Sequence, residues 1–293
     1  MQDRALAEHM QRATEELPRK VADALARQIE DDTLDLPVLA GTAQRVMQMA
    51  LDEEVDPVHL ADAIRNDGAM AGNLLRIANS PLYRARAAIV SLQQAISRLG
   101  MHQVREIALA IVCESRVFRV RGFEKELTEL FRHCLATAHF AQEVARVKRW
   151  NVEEAFLAGL LHDIGRPVLL QAVTDLSREL DCRLSKQQAL ALVTAAHERA
   201  GSRLITRWEL PARVADAVFH HHHHHVAEMQ GGPLFAVVGL ADELAHFALR
   251  DGTLDEPGLR ESPRLGLLNL YPEELTALIA CGEKVRLTVE AVG

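Results

Sequence analysis

The sequence predicts an all-α protein, a multi-helix bundle in two helical subdomains. Apolar residues recur at helical spacing through most of the 293 residues, and helix start and stop signals fall between the periodic stretches. No run shows the strict alternation of a half-buried strand. Aromatic residues make up only 4% of the chain although hydrophobic residues make up 48%. The core is therefore built from Leu, Ala, Val and Ile, of which Leu and Ala favour helices.

Residues 2–31 are charged and Ala-rich and read as one or two surface helices, ended by Asp35-Leu36-Pro37. From Val38 to Leu51, Val38, Leu39, Ala43, Val46, Met47 and Ala50 recur at helical spacing. Asp56-Pro57 opens the next helix, with Asp as N-cap and Pro in the first turn. That helix carries Leu60, Ala61 and Ile64 and ends near Asn66-Asp67-Gly68. A helix from about Met70 to Ala78 leads into the turn Asn79-Ser80-Pro81. Ser91 opens another, with Ala95, Ile96 and Leu99 inward, and Gly100 stops it. Residues 102–117 form one more, and Gly122 marks a joint.

The second half begins with a long amphipathic helix from Glu126 to Arg149. Val152 to Asp163 is nearly all apolar and ends at Ile164-Gly165-Arg166-Pro167. Gln187 to Trp208 reads as one helix, and Leu210-Pro211 opens the next. Leu234 to Leu249 is apolar and ends at Asp251-Gly252, and Tyr271-Pro272-Glu273-Glu274-Leu275 is a helix start. The chain divides into an extension (1–35), an N-terminal helical half (36–121), a second helical half (122–250) and a helical tail (251–293).

A net charge of -8 weighs against a nucleic-acid binder, because phosphate contacts need a basic face. Arg76, Arg84, Arg86, Arg98 and Arg105 fall in one region and make either a local basic patch or a solvated surface. Cys113, Cys134, Cys182 and Cys281 lack CxxC spacing and read as small hydrophobes in a reducing compartment. Met1 to Met10 holds no apolar run of signal-peptide length. No segment reaches about 18 uninterrupted apolar residues, so a cytoplasmic protein without a membrane span is expected.

The sharpest local signal is His162-Asp163, after Leu157, Leu160 and Leu161 on an apolar helix. Burying an aspartate there is costly without compensation, which a hydrogen-bonded core pair or a divalent metal would supply. Adjacent helical side chains point about 100° apart, so the two converge only near a helix end or distortion. Gly165 offers that distortion. Val214, Ala217, Val218, His221 and His222 form one continuous helical face, which His220 and His223 leave. His223, His224 and His225 read equally well as a solvated loop.

Asp242 lies on the apolar face of Phe235, Val238, Ala245 and Leu249. His133 lies on the stripe Leu130, His133, Thr137, Phe140 and Val144, with Glu129 one turn earlier. His197 precedes Glu198 and Gly201 on its own helix. A lone histidine on such a face is more often a core residue, but several on different helices suit a metal site inside a bundle. Imidazole with carboxylate favours Fe, Mn or Zn over Ca.

The order His133, His162-Asp163, Asp242 resembles the signature of HD-superfamily metal phosphohydrolases. Leu36-Pro37-Val38-Leu39, Ala43-Gln44-Arg45-Val46 and Leu74-Leu75-Arg76-Ile77-Ala78-Asn79-Ser80 resemble the HDOD domain, the HD-related output domain of bacteria. Ser91-Leu92-Gln93-Gln94-Ala95-Ile96, Leu99-Gly100 and Arg132-His133-Cys134-Leu135-Ala136-Thr137-Ala138 continue the match. Glu154-Ala155-Phe156-Leu157-Ala158-Gly159-Leu160-Leu161-His162-Asp163-Ile164-Gly165 completes it, so that it covers roughly residues 36–285.

The resemblance implies a signalling or regulatory module that binds a protein partner or a small nucleotide. Many HDOD domains lack metal ligands. Here His133, His162, Asp163, His197, His221, His222 and Asp242 fill the positions used by the related HD-GYP cyclic-di-GMP phosphodiesterases, and Glu129 matches a further ligand of some. The resemblance thereby implies one or two divalent ions, Fe or Mn first and Zn or Ni next. Its second implication is a metal-dependent phosphohydrolase with Arg166 on the phosphate. Two departures count against that: no Gly-Tyr-Pro follows the histidine pair, and Arg166 stands where the motif has lysine, which is not an equivalent group. No receiver, GGDEF or kinase segment is visible, so input is expected through another chain.

Overall fold

Side chains placed at the helix starts do the capping that the sequence signals. Asp56 accepts a hydrogen bond from the Val58 amide at 2.8 Å, with Pro57 in the first turn. Ser91 caps its helix by accepting from the Gln94 amide, and Asn151 accepts from the amides of Glu153 and Glu154. Each such bond satisfies an amide that the helix itself leaves without a partner. The structure is a computed structural model describing residues 19–38, 41–51, 55–83, 88–117, 119–182, 184–223 and 233–292. Leu39, Arg84, Arg86, His224 and His225, with residues 1–18 of the extension, lie outside the described residues.

The described residues are helical, with no strand among them. In the first half the helices are α1 (Arg19–Glu30), α2 (Thr42–Leu51), α3 (Pro57–Arg65), α4 (Gly68–Ala78), α5 (Leu92–Leu99) and α6 (Met101–Arg116). The second half holds α7 (Glu124–Lys148), α8 (Val152–Leu161), α9 (Gly165–Glu179), α10 (Lys186–Thr194), α11 (His197–Arg207), α12 (Ala212–His220) and α13 (Leu234–Leu249). The tail adds α14 (Glu256–Arg260), α15 (Pro263–Leu267), α16 (Pro272–Ala280) and α17 (Gly282–Val292).

Three details differ from the sequence reading. Asp67-Gly68 does not only end α3: Asp67 accepts from the amides of Ala69 and Met70 and so caps α4 at once. The single helix expected from Gln187 to Trp208 is two, because the chain turns at Ala195-Ala196. Finally, α1 is not a surface helix. Val21, Leu25 and Ile29 share one face and are fully buried, and α1 packs on α9 of the second half. Arg203 donates to the Ile29 carbonyl, and Trp208 Nε1 donates to the Pro37 carbonyl at 2.9 Å, so α1 and the segment after it are strapped down.

Helix α6 packs against α2, α4 and α5, and Val104, Ile107, Ala108, Ile111, Val112 and Cys113 along it are buried. Across from it, α7 is the central helix of the second half, packed against α8, α13 and α17. α8 and α13 are apolar on nearly every side because other helices surround them. The seam between α6 and this half is polar. His102 on α6 lies 2.7 Å from Glu106 through Nε2 and contacts Glu153 of α8 through Nδ1, while Gln142 of α7 donates to Glu106.

Of the arginine region, Arg105 is buried and Arg76 donates to the Val292 carbonyl at 3.3 Å. Cys113 and Cys134 are buried, Cys182 and Cys281 half-buried, and all four thiols are free. Among the described residues, no helix is long and apolar enough to cross a membrane.

Candidate metal centre

The centre forms where α8 gives way to α9 and meets the ends of α11 and α12. The chain turns through His162, Asp163 and Ile164 and resumes at Gly165. Gly165 is needed for close approach rather than for distortion. An added Cβ would overlap the His197 carbonyl oxygen and press on the Gly201 amide of α11. Gly159 does the same for α8 on α7, where a Cβ would sit 2.7 Å from the Ala138 Cα. These contacts draw four helices toward one buried point.

Asp163 stands at that point. Its Oδ1 lies 3.1 Å from His197 Nε2 and 4.0 Å from His221 Nε2, and its Oδ2 lies 3.5 Å from His162 Nε2. Asp242 on α13 continues the cluster: its Oδ1 is 2.7 Å from His133 Nε2 and 3.7 Å from His162 Nε2. His162, Asp163, His197 and His221 are almost fully buried.

The histidines are oriented by the backbone. His162 Nδ1 lies 2.8 Å from the Gly159 carbonyl, His197 Nδ1 2.8 Å from that of Thr194, and His221 Nδ1 2.7 Å from that of Val218. A carbonyl only accepts, so each Nδ1 carries the proton and each Nε2 presents a lone pair. The Nε2 atoms of His197 and His221 face each other at 3.4 Å, and buried His162 Nε2 has no hydrogen-bond partner. Lone pairs gathered around a carboxylate without a donor between them fit a cation.

The electrostatics agree. Burial pushes His162 and His221 below the ordinary imidazole range and His197 down to about 4. Those rings are neutral at pH 7, the form that ligates. Burial alone would raise Asp163, but Arg166 and the surrounding histidines hold it well below the usual carboxylate range. Asp242 is lowered too: burial opposes this, and the His133 hydrogen bond outweighs it. The same bond raises His133 against the effect of its burial.

Among the described residues, three groups bring their ligand atoms within 4.8 Å of one another: His197, His221 and His222; His133, His162 and Asp163; and His133, Asp242 and His246. Seven residues singled out in the sequence (His133, His162, Asp163, His197, His221, His222 and Asp242) thus converge. Glu129 does not join them; it is exposed, 3.8 Å from Lys125, on the wall of the adjoining cavity. Arg166 points inward, its Nε 2.8 Å from Asp163 Oδ1. His223 turns away and pairs with His220, their Nδ1 atoms 2.7 Å apart. The sequence reading missed His246. Its Nε2 is 3.5 Å from Asp242 Oδ1, its ring centroid is 4.3 Å from that of His133, and its Nδ1 is tied to Asp251. The i, i+4 spacing from Asp242 was the available signal.

A cavity of about 620 Å³ opens on this centre, within the range of small-molecule sites. Arg132 and Arg166 supply positive charge to its wall and Glu126, Glu129, Asp163, Asp242 and Asp251 negative charge, and Leu130 and Leu170 are among its aliphatic residues.

Comparison with known proteins places this geometry in context. The model of the HDOD domain matches residues 36–224. An uncharacterised protein of Treponema pallidum is 24% identical over 236 residues, 76% of this chain and 44% of the relative. The chain therefore spans less than half the length of that curated relative. An HDOD domain protein of unknown function from Geobacter sulfurreducens superposes with a TM-score of 0.69 at 23% identity, covering 95% of this chain and 99% of that one. A candidate metal-dependent phosphohydrolase from Shewanella amazonensis gives 0.67 at 18% identity, covering 92% and 99%. At these identities the structures speak for the fold alone.

Proposed function

We propose that this chain, which belongs to the HDOD domain family, is a cytoplasmic module of bacterial signal transduction. In this reading it holds a divalent transition metal and acts by binding a signalling protein or a small nucleotide, without turnover. One observation carries the metal part. Three imidazoles are tethered through Nδ1 to backbone carbonyls three residues earlier, and their Nε2 lone pairs are left around Asp163. His133, His162, Asp163 and Asp242 would hold one ion. His197, His221 and His222 would hold a second, with Asp163 between them. Fe or Mn suits this donor set, with Zn or Ni next. The helices of 36–121 and the metal-bearing half of 122–250 would together present the binding surface.

The second reading is a phosphohydrolase of the cyclic-dinucleotide phosphodiesterase kind. The cavity beside the centre favours it, since Asp163, Asp242 and Arg166 reach its wall. A bound ion would supply Lewis acidity and a more acidic water there. The chain's own residues would bind and orient the phosphate, Arg132 and Arg166 as cations. Against this stands the ion pair of Arg166 with Asp163, which directs the guanidinium to the cluster. That pairing supports the binding reading.

The test is metal analysis of full-length protein purified without metal-affinity resin, joined to a hydrolysis assay on cyclic dinucleotides. One to two ions per chain, lost in His162→Ala and Asp163→Ala, with no turnover, is the expected result. Less than about one ion per chain would sink the metal reading, because a site coupled to folding retains its ion. Turnover at enzymatic rates that disappears in both variants would replace the binding reading by the hydrolase.

A further inference from the structure

His221 and His222 are consecutive, yet both belong to the centre. His221 caps the C-terminus of α12 and is fully buried; the His222 ring lies 4.0 Å from its ring, on the cavity wall. A helix end is a poor place for two ligands unless its backbone is held, because the last carbonyls lack partners inside the helix. Here the peptide joining the two residues is held at its carbonyl. Arg264 Nη2 donates to the His221 carbonyl at 2.8 Å.

Arg264 is built into this position. It opens α15, its own amide donating to Ser262 Oγ, and it is 4% exposed. Its Nη1 pairs with Glu243, next in sequence to Asp242. It crosses α13 at Gly239, where a Cβ would overlap the guanidinium and sit 2.6 Å from the His221 carbonyl oxygen. Gly239 is thus the notch through which the tail reaches the centre. A cation at a helix C-terminus also suits the helix dipole.

We propose that Arg264 clamps the peptide between His221 and His222 by its carbonyl and so positions both imidazoles as metal ligands. It is a positioning residue, and the proposal rests on the metal reading above. The clamp ties the tail, 251–293, to the centre.

The experiment uses the full chain, freed of metal and titrated with Co²⁺, with visible absorption reporting binding. Hydrogen exchange at the His222 amide is followed in parallel. Arg264→Gln is expected to weaken Co²⁺ binding roughly 10- to 100-fold, the usual effect of losing groups that orient ligands. Arg264→Lys keeps a donor and recovers much of the affinity. The His222 amide exchanges faster in Arg264→Gln. Unchanged Co²⁺ affinity with a lowered melting temperature would overturn the proposal, leaving Arg264 a mere anchor of the tail. If the wild-type chain takes up no Co²⁺, the metal reading falls, and exchange alone decides the clamp. Faster exchange at His222 then keeps it, and unchanged exchange removes it.

Discussion

Among the described residues, a histidine–carboxylate network at the seam and one in the metal centre behave in opposite ways. At the seam, His102 sits between Glu106 and Glu153. The hydrogen bond to Glu106, then that to Glu153, raises its pKa to about 10. It is a cation at pH 7, both ring nitrogens donate, and no lone pair is left. In the metal centre, histidines outnumber carboxylates, and three rings give their Nδ1 proton to a carbonyl. Burial then keeps them neutral. What the second nitrogen meets decides whether a histidine is a structural cation or a ligand.

Removing metal tests this comparison with the largest expected effect. An ion at 100 times its dissociation constant stabilises the native state by about 2.7 kcal/mol, enough to raise the melting temperature by several degrees. Wild-type protein and His102→Gln should both show this rise on metal addition, followed by scanning calorimetry. Asp163→Asn should not. A full metal response in Asp163→Asn would break the distinction between the two networks.

The seam should answer to a different change. Glu106 is 4% exposed and accepts from both His102 and Gln142. Glu106→Ala leaves those donors without it and should cost about 1–3 kcal/mol, measured by urea unfolding. Its metal content should stay at the wild-type level. Loss of metal in this variant would mean that the networks are coupled through α7 and α8.

The two regions also differ in how far the sequence exposed them. Part of the centre was legible because a polar residue stood on an otherwise apolar stripe: His133 beside Phe140, Asp242 beside Val238, His221 beside Val218. His246 escaped because it sits at the edge of its stripe, and only its partner Asp242 gives it meaning. The caps at Asp56 and Ser91 were readable from single residues, since their chemistry is local. The burial of α1 was not, because charge along that helix hid an apolar face whose partner, α9, lies far along the chain. The seam was wholly invisible. His102, Glu106, Gln142 and Glu153 are ordinary surface residues by pattern, and only the packing of α6 on α7 and α8 brings them together. Arg264 is similar: nothing near it in sequence announces the notch at Gly239 that it crosses.

The smallest predicted effect has opposite signs in the two networks. The folded pKa of His102 lies above its ordinary value of 6.5, at about 10. Its stabilisation is fully present below 6.5 and is lost as pH rises through about 10. In the metal-free centre, burial takes His197 from 6.5 down to about 4, so its unfolded form binds the proton first. Stability there is kept above 6.5 and lost as pH falls toward 4. Urea midpoints of metal-free protein should therefore decline on both flanks. His102→Gln should flatten only the alkaline flank, and only modestly, because the His102 side chain is 41% exposed and solvent screens its ion pairs. Replacing His197 by Gln should flatten only the acid flank. If His102→Gln instead altered the acid flank between 4 and 6.5, its ring would be titrating as the buried rings do, and the contrast between cation and ligand would fail.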